Sequence, residues 1–284
     1  MAVNYAAKYS PVVDERFVRA SLTNAAFNQD YDWEGVSTVN VYSVNTAPLN
    51  AYQMSGMQRY GVPDELGTST QAMTLTQDMA FTFTIDRRNY TDQMMVTEAG
   101  RALRRQVDEE VIPTVDKYRI ASLVAGAGNT SAATPITAAN AYESFLDGVT
   151  AILGSKAPLA GTFAFIGQDF FKNIRLDPGF IKQGDLAQSM LINGQVGTVE
   201  TIPLIFTPTG YLPAGVEFVI SNRIAAVAPV KISEYITHEN PPGISGWLAE
   251  GRIYYDAFVL NNKASAIYVH RSSAAAPPEP EPEP

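Results

Sequence analysis

Few residues in this chain of 284 have a type and spacing that could do chemistry. His238 lies in Ile236-Thr-His-Glu-Asn-Pro-Pro-Gly243, where a His-Glu pair could form half of an acid–base or metal site. There is no second His at ligand spacing, and Pro241-Pro242-Gly243 marks a turn, so a structural role is expected. His270 precedes Arg271 and is expected at a solvated strand end. Carboxylates adjoin at Asp14-Glu15, Asp64-Glu65 and Asp108-Glu109-Glu110. Neighbours on a strand point to opposite faces and cannot work as a glycosidase pair. On a helix, Arg104 can pair with Asp108 and Arg105 with Glu109, which gives a solvated, ion-paired face. No phosphate-cradling glycine loop, nucleophile elbow or zinc motif occurs. With no Cys, the chain has no disulfide, thiol nucleophile, iron–sulfur cluster or Cys-based zinc site, and two His cannot make a three-His site. The expectation is no catalytic residue, no cofactor and no metal.

The balance of 20 basic against 29 acidic residues, net −9, disfavours a dedicated DNA reader, which needs a basic patch. Charged residues are 17 % of the chain, below the roughly 25 % usual for soluble domains. Such a surface is expected to be covered in part by neighbours. The length permits one large domain or two modest ones. The first 25 residues hold Lys8, Asp14, Glu15, Arg16 and Arg19 and no signal-peptide core. Apolar runs such as Ile224 to Val230 are far below the roughly 20 residues that span a bilayer. No membrane partner is expected, and the glycosylation patterns at Asn89-Tyr-Thr91 and Asn129-Thr-Ser131 are read as chance.

Elements follow from hydrophobic period. Residues 1–37 form an N-terminal arm with a short amphipathic helix over Val12 to Leu22 and no core of its own. Residues 38–86 read as a long hairpin. Thr38 to Val44 and Thr74 to Ile85 alternate apolar and polar, and Pro48, Gly56, Gly61, Pro63 and Gly67 lie between. Residues 91–125 carry the strongest helical stripe: Val96, Ala99, Leu103, Val107, Val111, Val115 and Tyr118. Thr91 or Asp92 caps it, and Pro113 should kink or split it. Residues 129–230 are an α/β stretch. Residues 231–271 return to β, with 252–260 and 264–269 expected to pair around Asn261-Asn262-Lys263. Residues 272–284 are a Pro/Glu-rich, disordered tail.

Two features point outward. Arg101, Arg104 and Arg105 form a basic ridge on the helix face away from the apolar stripe. Residues 87–128 have net charge +1, whereas residues 38–86 have one basic and four acidic residues, net −3. An acidic extended loop could lie on a basic helix of a neighbouring copy. Leu49, Tyr52, Met54, Met57 and Tyr60, with Arg59 among them, cluster at the loop tip, where the hairpin cannot bury them. Tyr, Met and Arg are enriched at interface cores, and exposed apolar clusters mark contact sites. The candidate interface is therefore Leu49, Tyr52, Met54, Met57, Arg59, Tyr60, Asp64, Glu65, Arg101, Arg104 and Arg105.

Several stretches, taken in order, resemble the Hong Kong 97-like family of tailed-phage major capsid proteins. They are Met1-Ala-Val-Asn-Tyr-Ala-Ala-Lys-Tyr9, Phe81-Thr-Phe-Thr-Ile-Asp86, Ala99-Gly-Arg-Ala-Leu-Arg-Arg-Gln-Val-Asp108 and Val111-Ile-Pro-Thr-Val-Asp-Lys-Tyr-Arg119. Asn240-Pro-Pro-Gly-Ile-Ser-Gly-Trp247, Gly251-Arg-Ile-Tyr-Tyr-Asp-Ala-Phe-Val-Leu260 and Ala266-Ile-Tyr-Val-His270 complete the set. The resemblance spans residues 1–271 and implies an α+β, Hong Kong 97-like capsid fold. It implies an N-terminal arm (1–37), an extended β-hairpin loop (38–86) and a peripheral domain with a long spine helix (87–128). An axial domain (129–230) and return strands of the peripheral domain (231–271) follow.

It further implies a non-catalytic subunit that assembles in the host cytoplasm as hexamers and pentamers. The product is an icosahedral virion head around double-stranded DNA, held by weak, non-specific contacts. Some relatives cross-link through a Lys on the extended loop; residues 38–86 contain none, so no such bond is expected. The match begins at Met1, so a separate scaffolding protein is expected, together with a portal. The competing readings are an encapsulin-type compartment storing an enzyme cargo and, remotely, a soluble carboxylate enzyme.

Overall fold

The computed structural model describes residues 21–28, 31, 33, 38–44, 46–47, 49–62, 65–87, 99–178 and 195–272. The expected Val12 to Leu22 helix (apart from its last two residues), the cap at Thr91 or Asp92, and the tail beyond Ser272 lie outside them.

Thirteen strands and four α-helices are present among the described residues. The strands are β1 (Thr38–Val44), β2 (Thr68–Thr74), β3 (Gln77–Asp86), β4 (Asn129–Thr130), β5 (Thr162–Ile166), β6 (Gln195–Val199) and β7 (Ile202–Phe206). They continue with β8 (Val216–Asn222), β9 (Ala226–Val227), β10 (Val230–Glu239), β11 (Gly246–Tyr255), β12 (Phe258–Val259) and β13 (Ile267–Arg271). The helices are α1 (Ala99–Gln106), α2 (Ile112–Ala125), α3 (Ala141–Gly154) and α4 (Gln168–Leu176).

The main core lies around a six-stranded mixed sheet in the order β4-β13-β8-β5-β7-β6. Its central strands are largely apolar, as Thr162-Phe-Ala-Phe-Ile166 shows, because both faces are covered. Phe165, Val219, Ile267 and Val269 pack with Ile120 and Leu123 of α2. Ala164, Ile166, Phe218 and Ile220 pack with Phe145 and Ile152 of α3 and Phe170 of α4. Gly148 lets α3 approach closely: a Cβ there would stand 2.7 Å from the Tyr268 ring.

A second, three-stranded antiparallel sheet has the order β10-β11-β3. At its centre, Gly251 pairs with both Phe81 and Tyr235, whose rings lie 6.1 Å apart. A side chain at Gly251 would collide with both. β1 and β2 form a separate ribbon, with Thr38 opposite Thr74 and Val44 opposite Thr68.

Two expected pairings differ. The alternating stretch from Thr74 to Ile85 is not one hairpin arm; β2 ends at Thr74 and β3 joins the three-stranded sheet. The chain changes sheet at Thr76, whose N–H and Oγ1 both donate to the Asp256 carboxylate at 2.8 and 2.9 Å. Nor do residues 252–260 pair with 264–269. β11 pairs with β10 and β3, while β13 pairs with β8 and β4. Asn261–Ala266 form a 3-10 turn that links the sheets. Ile267 to His270 are buried on both faces, the pattern of an interior strand. His270 is therefore not solvated. It is 3 % exposed, its ring is stacked 5.0 Å from Phe218, and Nε2 lies 3.0 Å from the Thr134 carbonyl oxygen.

Pro113 splits the long helix as expected. A π-helical turn, Val107–Val111, separates α1 from α2, and the Ile112 N–H donates to the Val107 carbonyl, five residues back. The wider turn inserts a residue and rotates everything after it by roughly 100°. The buried stripe passes from Val115 to Asp116, Arg119, Ile120 and Leu123. Asp116 accepts hydrogen bonds from Ser21 Oγ (2.8 Å), Leu22 N–H (2.8 Å) and Thr23 Oγ1 (2.6 Å). Arg119 donates to Thr23 Oγ1 and Asn24 Oδ1. Burial pushes the Arg119 guanidinium below its ordinary value, and the charge of Asp116 opposes that shift. The end of the N-terminal arm is thus latched to α2, with Leu22, Ala26 and Phe27 in the core.

Asp116→Ala should cost about 3–5 kcal/mol, since it strands a buried guanidinium and three donors; urea denaturation reads it. Tyr118 donates to Asp256 Oδ1 at 2.7 Å. Burial, then the hydrogen bond and charge of Asp256, push its phenol up to about 12. The fold favours the neutral phenol, so its stabilising contribution is whole below pH 10 and lost as pH rises from 10 to about 12. Burial also pushes the Tyr255 and Tyr268 phenols up, so tyrosinate absorbance should show several late-titrating phenols; the Tyr118 component should move down in Asp256→Asn, and Tyr118→Phe should reduce the alkaline loss of stability.

Candidate assembly interface

The ribbon is anchored at its base and bare at its end. Val39 and Val41 of β1 and Met73 of β2 pack with Trp33, Leu75, Val227 and Leu260. The Gln71 amide donates to the Val259 carbonyl (2.8 Å) and accepts from the Asn261 N–H (2.9 Å), which ties β2 to the body.

The tip is a shaped loop. The Gln53 N–H donates to the Arg59 carbonyl and the Gly61 N–H to the Gln58 carbonyl, each at 3.0 Å. Arg59 Nε donates to the Gly56 carbonyl at 3.3 Å. Gly61 has φ +93°, which favours glycine, and a Cβ there would have to displace the Asn50 side chain. The Tyr52 and Tyr60 rings meet edge to face at 5.2 Å. Even so, Leu49, Tyr52, Met54, Met57 and Tyr60 are all exposed, Met57 at 97 %, and Arg59 is exposed beside them. Val62 and Leu66 extend the apolar surface. Sequence reading missed these two, although they are apolar residues of the same loop. Glu65 is exposed; Asp64 lies outside the described residues.

The basic ridge is narrower than expected. Arg101 and Arg104 are exposed, but Arg105 is half-buried. It lines a gap of about 300 Å³ between helix and sheet, with Phe83, Ala102, Gln106, Glu109 and Glu110. Its position faces the sheet at the turn where α1 gives way to the π-helical segment, so its aliphatic stem covers apolar surface.

The acid–base candidates do not converge. His238 Nε2 lies 3.4 Å from Glu250 on the open face of the three-stranded sheet, with both side chains about half exposed. Among the described residues, no group of three or more His, Asp or Glu is placed to hold a metal ion. None of the described helices is long and apolar enough to cross a membrane.

No protein-family model and no curated protein matches the sequence. Solved structures do match in fold. A structure from Mycobacterium phage Che8 superposes with a TM-score of 0.73 at 13 % identity, covering 94 % of this chain and 97 % of that one. The capsid structure of cyanophage P-SCSP1u gives 0.72 at 11 % identity over 96 % and 94 %. The mature capsid of bacteriophage PhiM1 gives 0.66 at 11 % identity over 94 % and 92 %. The fold is that of bacteriophage capsid proteins.

Met54→Ser combined with Met57→Ser should change the stability of the free subunit by less than about 0.5 kcal/mol, because neither side chain is buried in it. A larger loss in urea denaturation would show that the tip packs on its own chain.

Proposed function

We propose that this chain is the major capsid protein of a tailed bacteriophage, with a Hong Kong 97-like fold. It assembles as hexamers and pentamers into an icosahedral head around double-stranded DNA. The observation that carries this reading is the likeness in fold to phage capsids over nearly the whole chain. The role is structural, and the product is the virion, built in the host cytoplasm with a separate scaffolding protein and a portal. Contact with DNA is weak and non-specific, because the net charge of −9 repels phosphate.

In this reading residues 1–37 are the N-terminal arm, 38–86 the extended loop and 87–128 the peripheral domain with its spine helix. Residues 129–230 are the axial domain and 231–271 the return, although β13 lies in the sheet of the axial segment. The loop tip rests on a neighbouring copy, with Asp64 and Glu65 facing Arg101 and Arg104, and Arg105 at the margin. Exposed pairs of this kind set register more than strength.

Electron microscopy of the purified or co-expressed protein should show regular shells tens of nanometres across. A monomer at all concentrations would overturn the reading, and shells that carry one enzyme cargo would move it to an encapsulin-type compartment. Arg101→Glu with Arg104→Glu should reduce shell yield, and adding Asp64→Lys with Glu65→Lys should restore part of it.

A further inference from the structure

The N-terminal arm and the root of the ribbon are fastened at neighbouring points. Asp116 and Arg119 of α2 hold Ser21 to Asn24 of the arm. Tyr118, between them, donates to Asp256, and Asp256 holds Thr76 where the ribbon ends. Both fastenings therefore depend on residues 116–119, about one helical turn. The Tyr255 ring, 1 % exposed, meets Tyr118 edge to face at 5.6 Å, and the charges of Arg119 and Asp256 both act on its phenol.

A second route runs through two short strands. The Asn28 N–H of the arm donates to the Ala226 carbonyl at 2.9 Å, and the Ala228 N–H donates to the Asn28 carbonyl at 3.3 Å. Asn28 thus bridges Val227 of β9 in parallel. β9 also pairs with β12, Val227 opposite Phe258 and Ala226 opposite Val259. The Val259 carbonyl accepts from Gln71 of β2, and Gln71 in turn accepts from the Asn261 N–H. Arm, β9, β12 and ribbon are joined by one continuous run of hydrogen bonds.

β9 and β12 have two residues each, and so short a pair is unstable in water without further strands or packing. Their support comes from the segments they join. Val227 and Leu260 are buried with Met73 and Leu75 at the ribbon root and with Trp33. Losing the arm would strip Asn28 from β9 and leave Asp116 and Arg119, both buried, short of hydrogen bonds.

We infer that the arm and the ribbon root form one opening unit: release of arm residues 21–28 loosens the root of the ribbon, and release of the root loosens the arm. A ligand of either segment thereby changes the freedom of the other, since coupling between two sites is reciprocal. The inference goes beyond the capsid reading and is tested on the free subunit, so neither falls with the other.

Amide hydrogen exchange of the unaltered subunit in low urea tests it. The amides of Leu22 and Asn28 report the arm, and those of Thr76 and Asn261 report the ribbon root. All four should share one opening free energy and one urea dependence, while the amides of β5 and β7 open at least about ten-fold more rarely. Separate urea dependences for arm and root overturn the inference. A merger of all four with β5 and β7 also overturns it, since nothing then opens short of unfolding. Thr23→Val deletes the hydroxyl that donates to Asp116 and accepts from Arg119. It should speed exchange at Leu22 and Asn28 by about ten-fold, and at Thr76 and Asn261 by the same factor. Acceleration confined to the arm overturns the inference. Should Thr23→Val not fold, the urea dependences of the unaltered subunit decide alone.

Discussion

Asp256 is the constraint on which the arrangement depends. Its carboxylate, 2 % exposed, takes the Thr76 N–H and hydroxyl, the Tyr118 hydroxyl and the Ala257 N–H. These donors belong to the switch from β2 to β3, to α2, and to the turn after β11. A buried carboxylate must be fully hydrogen-bonded or it costs several kcal/mol. Moving any one of the three stretches leaves that requirement unmet. The ribbon's direction relative to the long helix and the three-stranded sheet is therefore set at one point. Asp116, on α2, does the same for the N-terminal arm through its hydrogen bonds from Ser21, Leu22 and Thr23.

The packing of the two sheets divides the labour. The six-stranded sheet is covered on both faces by its own chain. The three-stranded sheet is covered by helix on one face and leaves Glu234, Ile236, Glu250 and Arg252 on the other, around a groove of about 360 Å³. Arg252 and Asp78 pair across β11 and β3 there, and the hydrogen bond from Arg252 holds the Asp78 carboxyl below its usual value. Such an exposed pair aligns strands and adds little stability.

Legibility in the sequence followed burial. Strands covered on both faces, such as Thr162 to Ile166, and the half-buried β1 announced themselves by period. The exposed tip was legible because Leu49, Met54 and Met57 lie in a loop too rich in Pro and Gly to bury them. Pairing was not legible. Thr74 to Ile85 alternates without a break, and the switch at Thr76 is caused by a carboxylate 180 residues away. The turn at Asn261 resembles a hairpin loop, yet the strand after it belongs elsewhere because both its faces are apolar. Asp116 and Arg119 were hidden by phase: the π-helical turn displaces the stripe, and two charged residues land on the buried face. Arg105 was misplaced for the same kind of reason, since one helical position separates a solvent-facing side chain from one against the sheet.

The geometry of the unsatisfied surfaces bears on the kind of assembly. In the proposed reading the donor of contact is the loop tip, and the receiver is α1. These are different elements, so each contact joins unlike surfaces of two copies. A self-complementary patch would close as a dimer and stop. Unlike surfaces leave one donor and one receiver unused after every addition, so growth continues until a ring closes. In the proposed reading, a loop tip and a helix on separate elements suit rings, and rings with further unlike contacts on their rims extend into a shell.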